Sequence, residues 1–254
     1  MLVSVLASGS EGNCTFVETD DVKLLIDIGM NTKYIKDKLI ENGVRPEEID
    51  YIFMTHTHSD HTGALKTFVN KYNPTVVLTQ NMYDELEDIH GYSKVEITSE
   101  AYIVGNTIID NFKTSHDAID ARGYVISDKN SSVVYLTDTG YLNQRYFEKL
   151  YNKDIYIMEA NHDPELLING RYPKWLKSRI LSDKGHLSNN AAGFYLSKLI
   201  GPNTKRVILA HLSHENNTPE IALETVKKTL EEYEIKFDNI SVAYQRETTG
   251  VIEL

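Results

Sequence analysis

A chain of 254 residues, 41% hydrophobic and 25% charged, can bury a sizeable core, and its length fits one large α/β domain or two small ones. Its net charge of −11 argues against a surface that wraps nucleic acid by bulk electrostatics, because such footprints are basic overall. No window approaches the roughly 18 apolar residues of a membrane span, the N-terminus lacks the basic start and apolar core of a secretory signal, and the lone Cys14 cannot form an intramolecular disulfide; the expected setting is the reducing cytosol.

Short β-branched runs alternate with amphipathic stretches, without a low-complexity linker or a solenoid-period repeat, which predicts a mixed α/β protein. In chain order, strands are predicted at 2–7, 14–19 and 22–28, then a helix at 32–41, a strand at 51–55, a helix at 63–72, a strand at 75–79 and a helix at 81–88. Strands follow at 107–114, 123–127 and 132–137, a helix at 144–150, a strand at 154–158, a helix at 189–199, a strand at 206–210, a helix at 219–232 and a strand at 239–244. Thr218 is the expected N-cap of the helix that Pro219 begins, and Gly201-Pro202 stops the one before it.

One regularity carries chemistry. The run YIFMT is followed by His56, SVVYLT by Asp138, DIYIM by Glu159 and RVILA by His211, while IIDNFKTS leads into His116. Polar residues begin many loops, but a recurrence limited to His, Asp and Glu points to side chains converging on one edge of a scaffold, where the active sites of layered α/β proteins commonly form.

The densest cluster is HTHSDH, with His56, His58, Asp60 and His61 directly after an apolar strand. A tetrahedral ion takes at most four protein ligands, and a catalytic one leaves a position open. Adding His116, Asp138 and His211 makes seven candidate ligands, too many for one ion and about right for two. Imidazole suits zinc, and carboxylates draw the site toward manganese, so the expected cofactors are two divalent ions, Zn or Mn.

HTHSDH meets the His-x-His-x-Asp-His hallmark of the metallo-β-lactamase-fold hydrolases, and the resemblance extends over most of the chain. LASGSEGN (6–13), LLIDIG (24–29), TSHDAIDARGY (114–124) and TDTG (137–140) resemble further motifs of that family, and residues 159–192 with 210–220 are similar to its YycJ/WalJ/VicX subgroup of bacterial nucleases. The ligand pattern also resembles that of ribonuclease Z. The resemblance implies one four-layered αββα sandwich domain over 1–254, with His56, His58 and His116 on one ion, Asp60, His61 and His211 on the other, and Asp138 bridging. Asp27 is expected to support the metal loop rather than ligate, and the Ser8-Gly9-Ser10 turn to pass close to the site.

A metal-bridged hydroxide would attack a phosphodiester, and the leaving oxygen then needs a proton. His186 lies outside the ligand count, just before a predicted helix, and the resemblance places it on a loop that contacts the scissile phosphate; general acid is its expected role, against a helix-capping histidine. Asp60, His186 and Glu159 form the expected catalytic set. Asn161, His162, His214, Asn216 and Asn217 either line the site or are structural.

Residues 84–100 are acidic, whereas 171–184 carries Arg171, Lys174, Lys177, Arg179 and Lys184 against Asp183 alone. A solvated face is the ordinary reading of such runs. If a polyanion binds, it meets the second, where Trp175 and Tyr172 are placed to stack on an unpaired base, Trp175 being alternatively an ordinary core aromatic. The expected function is a dinuclear metal-dependent phosphodiesterase acting as a nuclease, a DNA exonuclease, with DNA favoured over RNA on the subgroup resemblance alone and no membrane partner. RNA, a cyclic nucleotide or another small phosphodiester keeps the same site; a thioester or lactam hydrolase is a more distant alternative.

Overall fold

Most strands are apolar on both faces, and that property sets the architecture. The computed structural model describes residues 1–254, whose fourteen strands form two seven-stranded sheets. The first half of the chain gives β1 (Leu2–Ala7), β2 (Cys14–Glu18), β3 (Lys23–Ile26), α1 (Thr32–Glu41), β4 (Tyr51–Phe53), α2 (Ser59–Thr62), α3 (Leu65–Tyr72), β5 (Thr75–Leu78), α4 (Gln80–Glu85) and β6 (Val95–Ile97). The second gives β7 (Tyr102–Val104), β8 (Thr107–Lys113), β9 (Arg122–Ser127), β10 (Ser132–Leu136), α5 (Phe147–Leu150), β11 (Ile155–Glu159), α6 (Pro164–Asn169), α7 (Lys174–Ile180), α8 (Asn189–Leu199), β12 (Arg206–Ala210), α9 (Pro219–Glu232), β13 (Ile240–Val242) and β14 (Ile252–Glu253).

The sheet orders are β14-β1-β2-β3-β4-β5-β6 and β13-β12-β11-β10-β9-β8-β7. Each begins as antiparallel hairpins and continues as parallel strands joined through helices: β3 to β6 in one sheet, β10 to β13 in the other. Successive side chains along a strand point to opposite faces. Leu24 and Ile26 of β3 therefore join the 18-residue cluster between the sheets, while Leu25 joins the 22-residue cluster beneath α1, α3 and α4. In β10, Val133 and Tyr135 face the other sheet, and Val134 and Leu136 face the 19-residue cluster beneath α8 and α9. Three apolar layers separate four structural ones, the expected αββα sandwich. Cys14 is free and buried in the first cluster. No helix is long and apolar enough to cross a membrane.

Several strand ends fall earlier than predicted, for reasons that matter to the site. The 22–28 strand ends at Ile26 because Asp27 takes a left-handed backbone, φ 58°. The 51–55 strand ends at Phe53 as Thr55 donates its N–H to the Asp27 carboxylate at 2.8 Å. The helix expected from Gly63 starts at Leu65, and the 144–150 helix divides into a 3-10 turn over Gln144–Tyr146 and α5. Thr218 does cap α9, its hydroxyl accepting from Ile221 N at 3.2 Å. Not foreseen were the short strands β6, β7 and β14 and the helices α2, α6 and α7.

Phe53 ties the sheets together, its ring lying edge-on to Tyr102 at 5.5 Å and to Tyr124 at 5.8 Å between centroids. Phe53→Ala should lower the free energy of unfolding by about 3–5 kcal/mol, the cost of deleting a buried ring. Ile103→Ala, at a side chain 65% exposed, should change it by less than about 0.5 kcal/mol. Urea titrations of the two variants check the contrast, and equal effects would contradict the layer assignment.

Candidate metal centre

The carrier strands end at one edge of the sandwich, and left-handed residues re-aim the side chains there. Asp27 after β3, Asp138 after β10 and His211 after β12 have φ of 58°, 55° and 56°. Side chains rarely adopt this conformation, and such residues persist where surrounding contacts hold them. For His211 these are explicit: its N–H donates to Ser8 Oγ at 2.7 Å, and its carbonyl accepts from Asn161 Nδ2 at 2.8 Å. The Ser8-Gly9-Ser10 turn thus reaches the site through Ser8. Glycine matters most at Gly29, where a Cβ would lie 1.6 Å from the Asp60 carbonyl oxygen. The bare backbone lets the β3 turn seat against the HTHSDH loop, with Ile28 N on His61 O at 2.9 Å and Asn13 N on Asp60 O at 2.8 Å.

The seven candidate ligands come together in this edge. His56, His58 and His116 form one group and Asp60, His61 and His211 another, with the ligand atoms within each group no more than 4.8 Å apart. Asp138 lies between them, Oδ2 at 3.2 Å from His61 Nε2 and Oδ1 at 3.7 Å from His116 Nε2. Within the first group, His56 Nε2 and His58 Nδ1 approach to 3.1 Å.

Backbone and carboxylate acceptors set which nitrogen each ring offers. Fully buried Asp27 accepts from His61 Nδ1 at 2.7 Å and from Thr55 Oγ1 at 2.7 Å. The Thr55 hydroxyl, its proton committed to Asp27, accepts in turn from His56 Nδ1 at 3.0 Å. His116 Nδ1 donates to the Gly185 carbonyl at 3.2 Å. These contacts leave Nε2 as the unprotonated nitrogen of His56, His61 and His116, as metal-binding imidazoles require. Burial lowers the pKa of His56 and His116, which favours the neutral ligand form.

The donor set fits divalent cations. Nε2 of His116 and of His211 and Oδ2 of Asp138 are buried without a hydrogen-bond partner, an arrangement that is costly unless a ligand satisfies it. The charge balance agrees. Burial opposes a proton on His211, yet Asp138, Asp60 and Glu159 raise it to about 10, so the cavity favours positive charge. Burial would likewise raise the Asp60 carboxyl, but His211 and His61 hold it well below the carboxylate range.

His186 and Glu159 complete the interior. Glu159 is fully buried and accepts from His186 Nδ1 at 2.7 Å and His211 Nδ1 at 3.0 Å on Oε1, and from Thr139 N and Leu187 N, both at 3.0 Å, on Oε2. Burial works against its ionisation, and His186 and His211 outweigh it, bringing Glu159 to about 2. His186 lines the metal cavity of about 250 Å³, and helix capping falls to Ser188, whose hydroxyl accepts from Ala191 N.

The basic strip divides. Arg179 lines the metal cavity, and Arg171 lines a neighbouring one with His214. Lys177 Nζ is occupied by the carbonyls of Ile168 and Gly170, at 2.7 and 2.8 Å. Lys174 is exposed, and Trp175, 68% exposed, is no core aromatic. Asn216 and Asn217 are buried, and Asn217 bonds Asn189 and the Ala160 carbonyl. His162 is buried with neither ring nitrogen bonded. Sequence reasoning missed Asn13, whose Nδ2 lies 3.1 Å from His61 Nε2, as well as Thr55 and Asp117. The hint for Asp117 was its place beside His116.

Residues 7–211 match the family model of the metallo-beta-lactamase superfamily. The chain is 39% identical over 235 residues to the exodeoxyribonuclease WalJ of Streptococcus pneumoniae, covering 89% of this chain and 87% of that one. It is 35% identical over 234 residues to the exodeoxyribonuclease YycJ of Bacillus anthracis, covering 90% and 89%. Among solved structures, the metallo-beta-lactamase fold protein YhfI of Bacillus subtilis superposes with a TM-score of 0.72 over 97% of this chain and 98% of that one, at 16% identity.

Asp27→Asn tests the orienting contacts. An amide cannot accept from Thr55 N, Thr55 Oγ1 and His61 Nδ1 together, and its NH₂ would oppose the His61 proton. Zinc or manganese affinity by calorimetry should fall by about 10- to 100-fold, as for other lost partners of metal-bound histidines. Unchanged affinity would remove Asp27 from the site's support.

Proposed function

The chain belongs to the metallo-beta-lactamase superfamily, and we propose that within it the protein is a metal-dependent nuclease that degrades DNA from its ends, the activity for which its pneumococcal and Bacillus anthracis relatives are named. One observation carries the reading: His186, a histidine outside both ligand groups, is fixed on buried Glu159 in the wall of the cavity that His58, Asp60, His116, Asp138 and His211 also line. A metal store has no use for such a residue, whereas ester hydrolysis needs a proton donor beside the ions.

In this reading His56, His58 and His116 would hold one divalent ion and Asp60, His61 and His211 the other, with Asp138 available to both; the mixture of imidazole and carboxylate suits zinc or manganese. When bound, such ions supply a water acidic enough to attack at neutral pH and positive charge for the phosphate oxygens. The chain's own residues do the rest. Asp60, held ionised by His61 and His211, keeps one face of the cavity anionic and ready for a cation. His186 donates from Nε2 to the leaving oxygen, while its Nδ1 proton on Glu159 steadies the ring and the charge it carries. The four hydrogen bonds on Glu159 keep that carboxylate in place through the transfer.

DNA leaves across α6 and α7. Arg171 and Lys174 contact phosphates without reading sequence, and exposed Trp175 stacks on an unpaired base. Lys177 supports this surface from within by holding the end of α6. A single buried cysteine fits work in the reducing cytosol.

The test compares metal-reconstituted protein on matched single-stranded DNA, double-stranded DNA, RNA and cyclic nucleotides. Asp60→Ala should abolish hydrolysis of all that are cleaved, and His186→Ala should lower kcat on DNA by about 10²- to 10⁴-fold, the usual weight of a general acid. The His186 loss should shrink on bis(p-nitrophenyl) phosphate, whose leaving group needs no proton. Full activity in Asp60→Ala would sink the hydrolytic mechanism, and faster cleavage of RNA or cyclic nucleotides would replace DNA as the substrate.

A further inference from the structure

The helix α7 turns one face back over the metal cavity. Leu176 and Ile180, one helical turn apart, line it together with Tyr172 just before the helix. Ile180 is buried and the other two are half-buried, whereas Trp175 on another face is open to solvent. A phosphodiester between two cations has no use for an apolar wall. A nucleobase with its sugar does.

This wall is fastened to the loop that carries His116. Arg179 makes a two-pronged pair with Asp117, Nη2 to Oδ1 at 3.0 Å and Nε to Oδ2, and the Gly185 carbonyl beyond α7 accepts from His116 Nδ1. Nε and Nη2 are committed to Asp117, which leaves Nη1 to face a ligand in the cavity that Arg179 lines. A guanidinium held along one edge and free at the other offers its remaining donors to a phosphate in a fixed direction.

We propose that Tyr172, Leu176 and Ile180 form a recess for the nucleoside of the chain-terminal nucleotide, and that Arg179, positioned by Asp117, binds the phosphate next to it. The proposal rests on the nuclease reading above and adds the residues by which the site recognises the free strand end. At about 250 Å³ the cavity is slightly smaller than the roughly 300–1,000 Å³ of pockets that enclose drug-sized ligands. That scale suits a single nucleotide at the ligand cluster better than a duplex. An aromatic and two aliphatic side chains grip any base by its face, so the recess is indifferent to sequence.

The experiment uses full-length, metal-loaded protein with its metal content measured in each variant. Substrates are a linear single-stranded oligodeoxynucleotide, the same sequence closed into a circle, and bis(p-nitrophenyl) phosphate. The wild type should cut the linear strand and spare the circle. Tyr172→Ala should raise KM for the linear strand by about 5- to 150-fold, the worth of one stacked base, with a much smaller change in kcat. Leu176→Trp, which fills the recess, should shift the ratio of kcat/KM for oligonucleotide to small diester by about tenfold or more toward the diester. Arg179→Lys and Asp117→Asn should both raise KM for the strand, and the two changes combined should do little more than either alone, as expected of residues acting as one unit. Cleavage of the circle at the linear rate would overturn action from DNA ends and the recess with it, whereas an equal loss of both activities in Leu176→Trp with metal intact, the circle still being spared, would overturn the recess alone. Hydrolysis of the small diester with no cleavage of either DNA would overturn the nuclease reading and the recess with it.

Discussion

The carboxylate of Asp27 is the constraint on which the ligand arrangement hangs. It has no solvent exposure, and burial raises its pKa against the pull of His61 and Thr55. A buried carboxylate is tolerated when its lone pairs are filled, and here they accept from Thr55 N, Thr55 Oγ1 and His61 Nδ1. Those three bonds connect the end of β3 to the loop after β4 and fix one histidine in each ligand group, His61 directly and His56 through the Thr55 hydroxyl. Strand pairing and metal-site geometry are therefore one structural problem. Shifting β3 against β4 by a residue would place Asp27 on the wrong face and turn its partners away.

Glu159 repeats this device in the second sheet. It too is fully buried at a strand end, β11, and its oxygens accept from His211 and His186 and from two backbone amides. Each sheet thus contributes one carboxylate that orients imidazoles, and Asp138 lies between the two supported halves. The difference between them is functional. Asp27 serves histidines of the two ligand groups, whereas Glu159 serves one ligand-group histidine and one outside both groups, so Glu159 connects His186 to the ligand cluster.

Much of this was readable in the sequence because its signals are local. HTHSDH sets four ligand-type side chains within six positions, and the apolar runs before His56, Asp138, Glu159 and His211 mark strands buried on both faces. What was not readable depends on contacts between distant segments. The Asn13 amide near His61 spans 48 residues, and the Arg179 pair with Asp117 spans 62; neither leaves a periodicity or a motif. Lys177 looked like a phosphate contact because a charge run shows composition but not partners, and two carbonyls at the end of α6 occupy it. Strands β6, β7 and β14, of two or three residues at or near sheet edges, are too short to register as alternation.

The overall acidity of the chain stops being an objection once charge is assigned to places. Screening at physiological salt limits exposed charges to a range of about 8–10 Å, so a strand end approaching the cavity meets the residues beside it rather than the molecular average of −11. Those residues are Arg179, paired with Asp117, in the cavity wall and Arg171 with Glu165 and Glu215 in the neighbouring cavity, with Lys174 exposed on the same helix as Arg179. The acidic stretch from 84 to 100 runs from the end of α4 through a 3-10 turn at Glu87–Ile89 to just past β6, and β6 is the outermost strand of the first sheet. Asp60, Asp138 and Glu159 add negative charge within the cavity itself, and their pull on His211 is the pull they would exert on a cation. With cations in place the acidic cluster becomes the attractive pole for a phosphodiester, and the inversion of local charge by bound ions is the step that reconciles an acidic protein with a polyanionic substrate.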